Sequence, residues 1–284
     1  MVMNRAVVGA NQEPALSRWD HRDAIIYALG VGAGQQDPLA ELQFTTENSS
    51  AVIQQVLPAF GVVVGMTHGN RPDLGDFPRS QVLHGDQGFV VHKPLPVEGS
   101  ARISSVVTGM YDKGSGALVT IETTLTDADA GDLFMTSTTG LFVRGEGGFG
   151  GDKQPGSQGK IPLRRPDHEL TATVREDQAL LYRLSGDRNP LHSDPEYARQ
   201  GGFERPILHG MCTYGITSRL LINALCEGDA TRVSGMYGLF SKPVMPGEAL
   251  TVTVWTDGGR AIFQTRDSSG DVVLDRGTFD YRAR

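Results

Sequence analysis

Lys93 to Gly116 reads KPLPVEGSARISSVVTGMYDKGSG, and 149 positions later Lys242 to Arg260 reads KPVMPGEALTVTVWTDGGR. Each is a turn, a strand rich in β-branched residues and a second, Gly-containing turn, so one structural unit is written twice. The match extends on both sides. Thr126 to Val143, TDADAGDLFMTSTTGLFV, and Thr265 to Tyr281, TRDSSGDVVLDRGTFDY, each add a strand pair joined by a short turn. Upstream, VLPAFGVVVGM from Val56 and PILHGMCTYGITSRLLINAL from Pro206 lead through proline into an apolar helix, and YALGVGAG from Tyr27 echoes YRLSGDRN from Tyr182. The order predicts a duplication, with one long helix and several antiparallel strands per half.

The join is a change of composition. Arg144 to Ile161, RGEGGFGGDKQPGSQGKI, holds seven glycines and a proline, which suits a crossing linker. The expected division is an N-terminal half over 1–147, a linker over 148–166 and a C-terminal half over 167–284. Phe149 is the residue that could pin this stretch to a groove.

A length of 284 residues suits two units of about 140, each able to bury a core. Apolar runs fall short of the roughly 20 residues that a membrane span needs, and no apolar core follows Arg5 as in a signal peptide. The formal charge of −7, from 26 basic and 33 acidic residues, argues against a nucleic-acid partner. Cys212 and Cys226 fall in one predicted helix and cannot pair with each other, and the final RAR is not a peroxisomal SKL-type address; a reducing cytoplasm is expected. The histidines and cysteines show no zinc spacing, and no Gly-rich nucleotide loop is present. No metal and no cofactor are therefore expected.

The two copies differ in chemistry. Tyr182 to Gly210, YRLSGDRNPLHSDPEYARQGGFERPILHG, places Asp187, Asn189 and His192 within six residues. Pro190 lacks a backbone N–H and pushes Asn189 toward an extended conformation, so the three sit on a sharp, non-helical loop. The aligned positions of the first half are Gly32 and Gly34, which offer no side chain. Taken alone, an Asn-Pro and an Asp-Pro most often mean two turns, with Asp187 an Asx-turn residue and His192 on the surface. His209 reads more readily as a buried, hydrogen-bonded residue than as an actor.

The order Asp-x-Asn-Pro-x-His, then Gly-Phe, then Pro-Ile-Leu-His-Gly resembles the hydratase 2 motif of the MaoC-like (R)-specific enoyl-CoA hydratases. VLPAFG, VLHGDQGFVVHKPLP, DKGSG, RGEGGFGG and FSKPV carry the resemblance over nearly the whole chain. It implies an α+β double hot-dog fold, in which two antiparallel sheets each wrap a central helix and the halves pack as a pseudo-dimer. The first half then serves as the acyl-chain pocket. The resemblance makes Asp187 and His192 the acid/base pair, Asn189 the residue that orients the water or the acid, and the Gly210 N–H the oxyanion donor. It places His84, Gly85, Lys113, Arg188, Pro190, Leu191 and Phe240 along the acyl-CoA site. Asp86 stands where the family more often has Glu. A homodimer acting on CoA thioesters is implied; a hot-dog thioesterase and a non-catalytic acyl-CoA-binding subunit are the alternatives.

Overall fold

Burial alternates along Gly99–Asp112 and Leu133–Arg144, with one side chain in two facing inward, the pattern of strands that cover a core on one face only. In the computed structural model, which describes residues 3–151 and 160–283, ten such strands form one antiparallel sheet. The N-terminal half supplies β1 (Ala15–Trp19), β2 (Val82–Val91), β3 (Gly99–Asp112), β4 (Gly116–Asp127) and β5 (Leu133–Arg144). The C-terminal half supplies β6 (His168–Thr173), β7 (Val233–Phe240), β8 (Ala249–Asp257), β9 (Arg260–Arg266) and β10 (Val272–Tyr281). The order is β1-β3-β4-β5-β2-β7-β10-β9-β8-β6. Read from either edge, the two halves have the same topology, as the duplicated sequence predicts.

The two expected sheets are continuous with each other. β2 pairs with β7 from Asp86↔Leu239 to Val90↔Gly235, so backbone hydrogen bonds cross the middle of the molecule. Each half also contributes a main helix. α1 (His21–Gly30) is started by a reciprocal cap between Asp20 and Asp23, which satisfies orphan N–H groups of its first turn. A short α2 (Leu42–Thr45) follows, and then α3 (Ala59–His68), buried over most of its length. The second half repeats this with α4 (Gln178–Tyr182), the short α5 (Pro195–Gln200) and α6 (Gly210–Cys226). α6 is buried from Met211 to Arg219, and one apolar core runs through both halves.

The linker is tied down where it begins. Asp112, at the tip of the β3–β4 hairpin, accepts hydrogen bonds from Gly148 N at 2.9 Å and Gly150 N at 2.6 Å. The Phe149 ring lies 5.1 Å from the Arg5 guanidinium. The middle of the expected linker, 152–159, lies outside the described residues. Among the described residues, no helix is long and apolar enough to cross a membrane.

Candidate active site

Asp187 lies just beyond a forced turn. Gly186 has φ +127°, and a Cβ there would stand 2.5 Å from the Thr67 methyl of α3. Only glycine lets the chain turn here while touching the other half. Beyond it, the Asn189 backbone N–H donates to Asp187 Oδ1 at 3.1 Å, and Asn189 Oδ1 accepts from Leu191 N at 3.1 Å. The Asn189 side chain thus caps a 3₁₀ turn over Pro190–His192, and its main chain, not its amide, holds the carboxylate. Arg188, Asn189 and Pro190 are exposed around this turn, while Leu191 is part-buried against Gly201.

The turn carries His192 inward. The ring is 9 % exposed, where the sequence taken alone favours a surface position. Its Nδ1 lies 2.9 Å from the Ile207 carbonyl. A carbonyl only accepts, so Nδ1 carries the hydrogen and Nε2 is left as a bare base. Burial pushes the His192 pKa down, against smaller upward pulls from Ile207 and Asp187. The ring is therefore neutral near pH 7.

His209 completes the group. It is 1 % exposed, its ring centroid is 3.8 Å from that of His192, and its Nε2 lies 3.2 Å from the Asp187 carbonyl oxygen. Asp187, His192 and His209 offer ligand-type atoms within 4.8 Å of one another, close enough to share a cation, a proton or a water. The His209 Nε2 must carry hydrogen toward Asp187, so it cannot ligate a metal while that bond stands. The bare nitrogen of the neutral His209 ring is Nδ1, and a water held among these groups can carry a proton.

The opposite wall comes from the N-terminal half. β2 bulges between His84 and Asp86, two residues opposing one step on β5, and Gly85 is the extra residue. A bulge re-aims its neighbours. His84 here packs 4.7 Å from the Phe240 ring, and the Phe240 ring in turn covers Gly210. Buried Gln87 donates through Nε2 to the Gly88 and Thr138 carbonyls, which turns its oxygen toward His84 Nε2 at 3.1 Å. Burial pushes the His84 pKa down to about 4.

Gly210 is the first residue of α6 and is exposed. Its N–H is among the first-turn donors that lack an intrahelical acceptor, at the positive end of a 17-residue helix. A Cβ at this position would come within 3.2 Å of the Phe240 ring, so the missing side chain keeps the donor open.

The structure thus gathers Asp187, Asn189, His192, Gly210, His84, Gly85 and Phe240 on one side of the β2–β7 seam. Lys113 is set apart: it is exposed on the tip of the β3–β4 hairpin, two strands from His84 through β5. Asp86 is buried beside Gly140, and burial pushes its pKa up. Nothing in the sequence singles out Gln87, Gly186 or Thr67, and His209 is buried and hydrogen-bonded as expected, but at the centre of the site. The adjacency of His209 to Gly210 was the one visible signal.

A hollow of about 510 Å³ lies at the far end of the seam, lined by Val56, Pro58, Val91, Leu95 and Asp229 among others. Its polar groups serve the fold: Gln55 accepts from Ala230 N and Asp229 from Thr231 N. It contains no paired acid and base.

Comparison with known proteins bears on this geometry. Residues 17–145 match the family model described as the MFE-2 hydratase 2 N-terminal domain, and residues 158–277 match the MaoC like domain. The chain is 44 % identical to 3-hydroxyacyl-thioester dehydratase Y of Mycobacterium tuberculosis, over 100 % of both chains. It is also 44 % identical to enoyl-CoA hydratase ChsH3 of the same organism, over 94 % of each. Among solved structures, a MaoC-like dehydratase from Phytophthora capsici superposes with a TM-score of 0.88 at 31 % identity, covering 98 % of both chains. The continuous sheet and its two central helices are the double hot-dog fold.

Proposed function

The chain belongs to the MaoC-like, hydratase 2 family of hydro-lyases, and from that premise we propose that Asp187 and His192 catalyse reversible syn hydration of a trans-2-enoyl-CoA to the (3R)-3-hydroxyacyl-CoA. The observation that carries the reading is the bare His192 Nε2, left so by the Nδ1–H bond to Ile207, in a cluster with the Asp187 carboxylate.

The chemistry follows from these groups. A water held between Asp187 and His192 gives a proton to the pair as its oxygen bonds to C3. The electrons of the C2–C3 double bond move toward the thioester oxygen, which accepts a hydrogen bond from the Gly210 N–H. The proton returns to C2 on the same face, and the pair ends as it began. Dehydration is the same path reversed. Acid/base groups of this kind contribute about 10² to 10⁴ in rate and one oxyanion donor about 10² to 10³.

The acyl chain is assigned to the N-terminal half, because His84 and Thr67 of that half form the wall facing the catalytic loop. Arg188, Pro190 and Leu191 border the thioester, and Lys113 is placed toward a CoA phosphate at the rim. Buried, unpaired Cys212 and Cys226 accord with a reducing cytoplasm. The active assembly is proposed as a homodimer.

The test is incubation with trans-2-enoyl-CoA of short, long and steroid-like chains, following loss of enoyl absorbance and product chirality beside Asp187→Asn and His192→Gln. The expected result is a (3R)-hydroxyacyl product, lowered at least ~10²-fold by either substitution. Release of free CoA without hydration means a thioesterase. Binding with no absorbance change means an acyl-CoA-binding subunit.

A further inference from the structure

We propose that His209 is a positioning residue: a neutral imidazole that holds the acid, the base and the oxyanion donor in one rigid unit. This rests on the reading of Asp187, His192 and Gly210 just given.

Three contacts converge on this side chain and its backbone. The Nε2–H donates to the main-chain oxygen of Asp187 at 3.2 Å, fixing the peptide from which the acid projects. The ring lies on the face of His192, with centroids 3.8 Å apart and planes inclined by 30°. The His209 carbonyl accepts from Cys212 N at 3.0 Å and Thr213 N at 3.2 Å. His209 is therefore the N-cap of α6, and the next residue is Gly210.

The same geometry excludes a direct part in proton transfer. Nε2 is spent on a carbonyl, and Nδ1 is buried without a hydrogen-bond partner among the described residues. A protonated ring would bury a second N–H with nothing among the described residues to accept it, which is unfavourable. The ring stays neutral, and burial together with His192 pushes its pKa far below the usual imidazole range. The Tyr182 ring also packs against it, tilted by 52° with centroids 4.9 Å apart. Among the described residues the His192 ring is tethered by one hydrogen bond, to Ile207; the His209 ring is the surface that stops it turning about that bond.

Two substitutions separate the contacts. His209→Phe keeps the stacked ring and removes the donor; His209→Gln keeps a donor of similar reach and removes the ring. A displacement of about 1 Å costs on the order of 10²-fold in rate, so His209→Phe is expected to lower kcat by ~10 to 10² with KM nearly unchanged. His209→Gln should recover part of that loss, because the Asp187 peptide is held again. Amide hydrogen exchange over residues 187–192 gives a readout that needs no turnover: it should quicken in His209→Phe and slow again in His209→Gln. Parental exchange and parental kcat in His209→Phe overturn the proposal. So does an equal loss in both variants that follows only the unfolding midpoint. If the parent itself turns over no enoyl thioester, the proposed function fails, and the exchange pattern alone decides whether His209 positions the loop.

Discussion

The two loops that follow Tyr27 and Tyr182 occupy equivalent places in the two halves and manage their polar groups in opposite ways. In the first, Gly32 and Gly34 are left-handed, with φ +80° and +67°, and carry no side chain. The charge nearby is fully matched. Glu41 accepts from Arg219 Nη1 at 2.8 Å, from Asn223 Nδ2 at 2.7 Å and from Gly34 N at 2.9 Å, and Arg219 Nε donates to the Val31 carbonyl at 2.9 Å. In the second loop Asp187 and His192 keep valences open. The helix starts differ likewise: α3 begins at Pro58–Ala59 and α6 at His209–Gly210. Duplication allows one copy to turn its loop into a clamp, and the clamp grips α6, the helix that begins at Gly210, the proposed oxyanion donor.

The largest expected effect breaks the comparison on its chemical side. Asp187→Asn should lower kcat/KM for an enoyl thioester by about 10² to 10⁴, with the denaturation midpoint barely moved, since among the described residues the carboxylate bonds only one neighbouring N–H. A large loss of stability instead would mean that Asp187 is structural, like Glu41.

Next comes the clamp. Arg219 and Glu41 are both about a tenth exposed, and Arg219→Met leaves the carboxylate buried with its cation gone. Breaking such a pair from one side costs about 3–5 kcal/mol, whereas replacing both partners is often close to neutral. Urea denaturation should therefore show Arg219→Met strongly destabilised and the double variant E41Q/R219M much less so. Equal destabilisation of the two would deny that the buried charge is the reason.

The glycines of the two loops differ in a smaller way. Gly186→Ala meets both a positive φ and Thr67, while Gly32→Ala meets a positive φ and the movable end of Gln35. Strained positions of this type cost about 1–3 kcal/mol each. Gly186→Ala should sit at the upper end and Gly32→Ala at the lower, measured by the same denaturation, and the former should also slow turnover.

Much of this was legible in the sequence. The 149-residue offset places β3 against β8 in equivalent positions, because strand patterns and turn residues survive in both copies. That Asp187, Asn189 and His192 share one sharp loop was legible from their spacing and from Pro190, although the loop closes in a 3₁₀ turn where a non-helical one was expected. The β2–β7 seam was not, because it is made by backbone pairing of strands roughly 150 positions apart, whose side chains do not encode the register. The Gly85 bulge was hidden for the same reason. His209 was expected to be buried and hydrogen-bonded, and it is, but its partner, Asp187, was not foreseen; the burial of Gln87 was hidden, because a polar residue announces no burial until its partner, here Thr138, is known in space. Asn189 was expected, from the resemblance, to orient the water or the acid. The 3₁₀ turn uses its side-chain oxygen as a cap and leaves the main chain to hold the acid.

The smallest effect is a pH dependence that separates the two regions along one axis. His84 and His192 are pushed below their ordinary value of 6.5, first by burial in each case, with His84 down to about 4. The unfolded chain then binds more protons than the folded one, so stability rises with pH in this range. The contribution is complete above about pH 6.5 and is lost as pH falls toward 4. Burial pushes the Glu41 carboxyl up, but Arg219, Asn223 and Gly34 overcome it and hold it below its ordinary 4.5. The clamp's contribution is therefore present above pH 4.5 and disappears only as pH falls through the lowered folded value. Urea midpoints taken across pH should fall in two stages, the site's histidines first and the clamp second. His192→Gln should flatten the upper stage and E41Q/R219M the lower one. If His192→Gln leaves the upper stage unchanged, the folded ring titrates as the unfolded one does, and burial does not hold His192 neutral below its ordinary value.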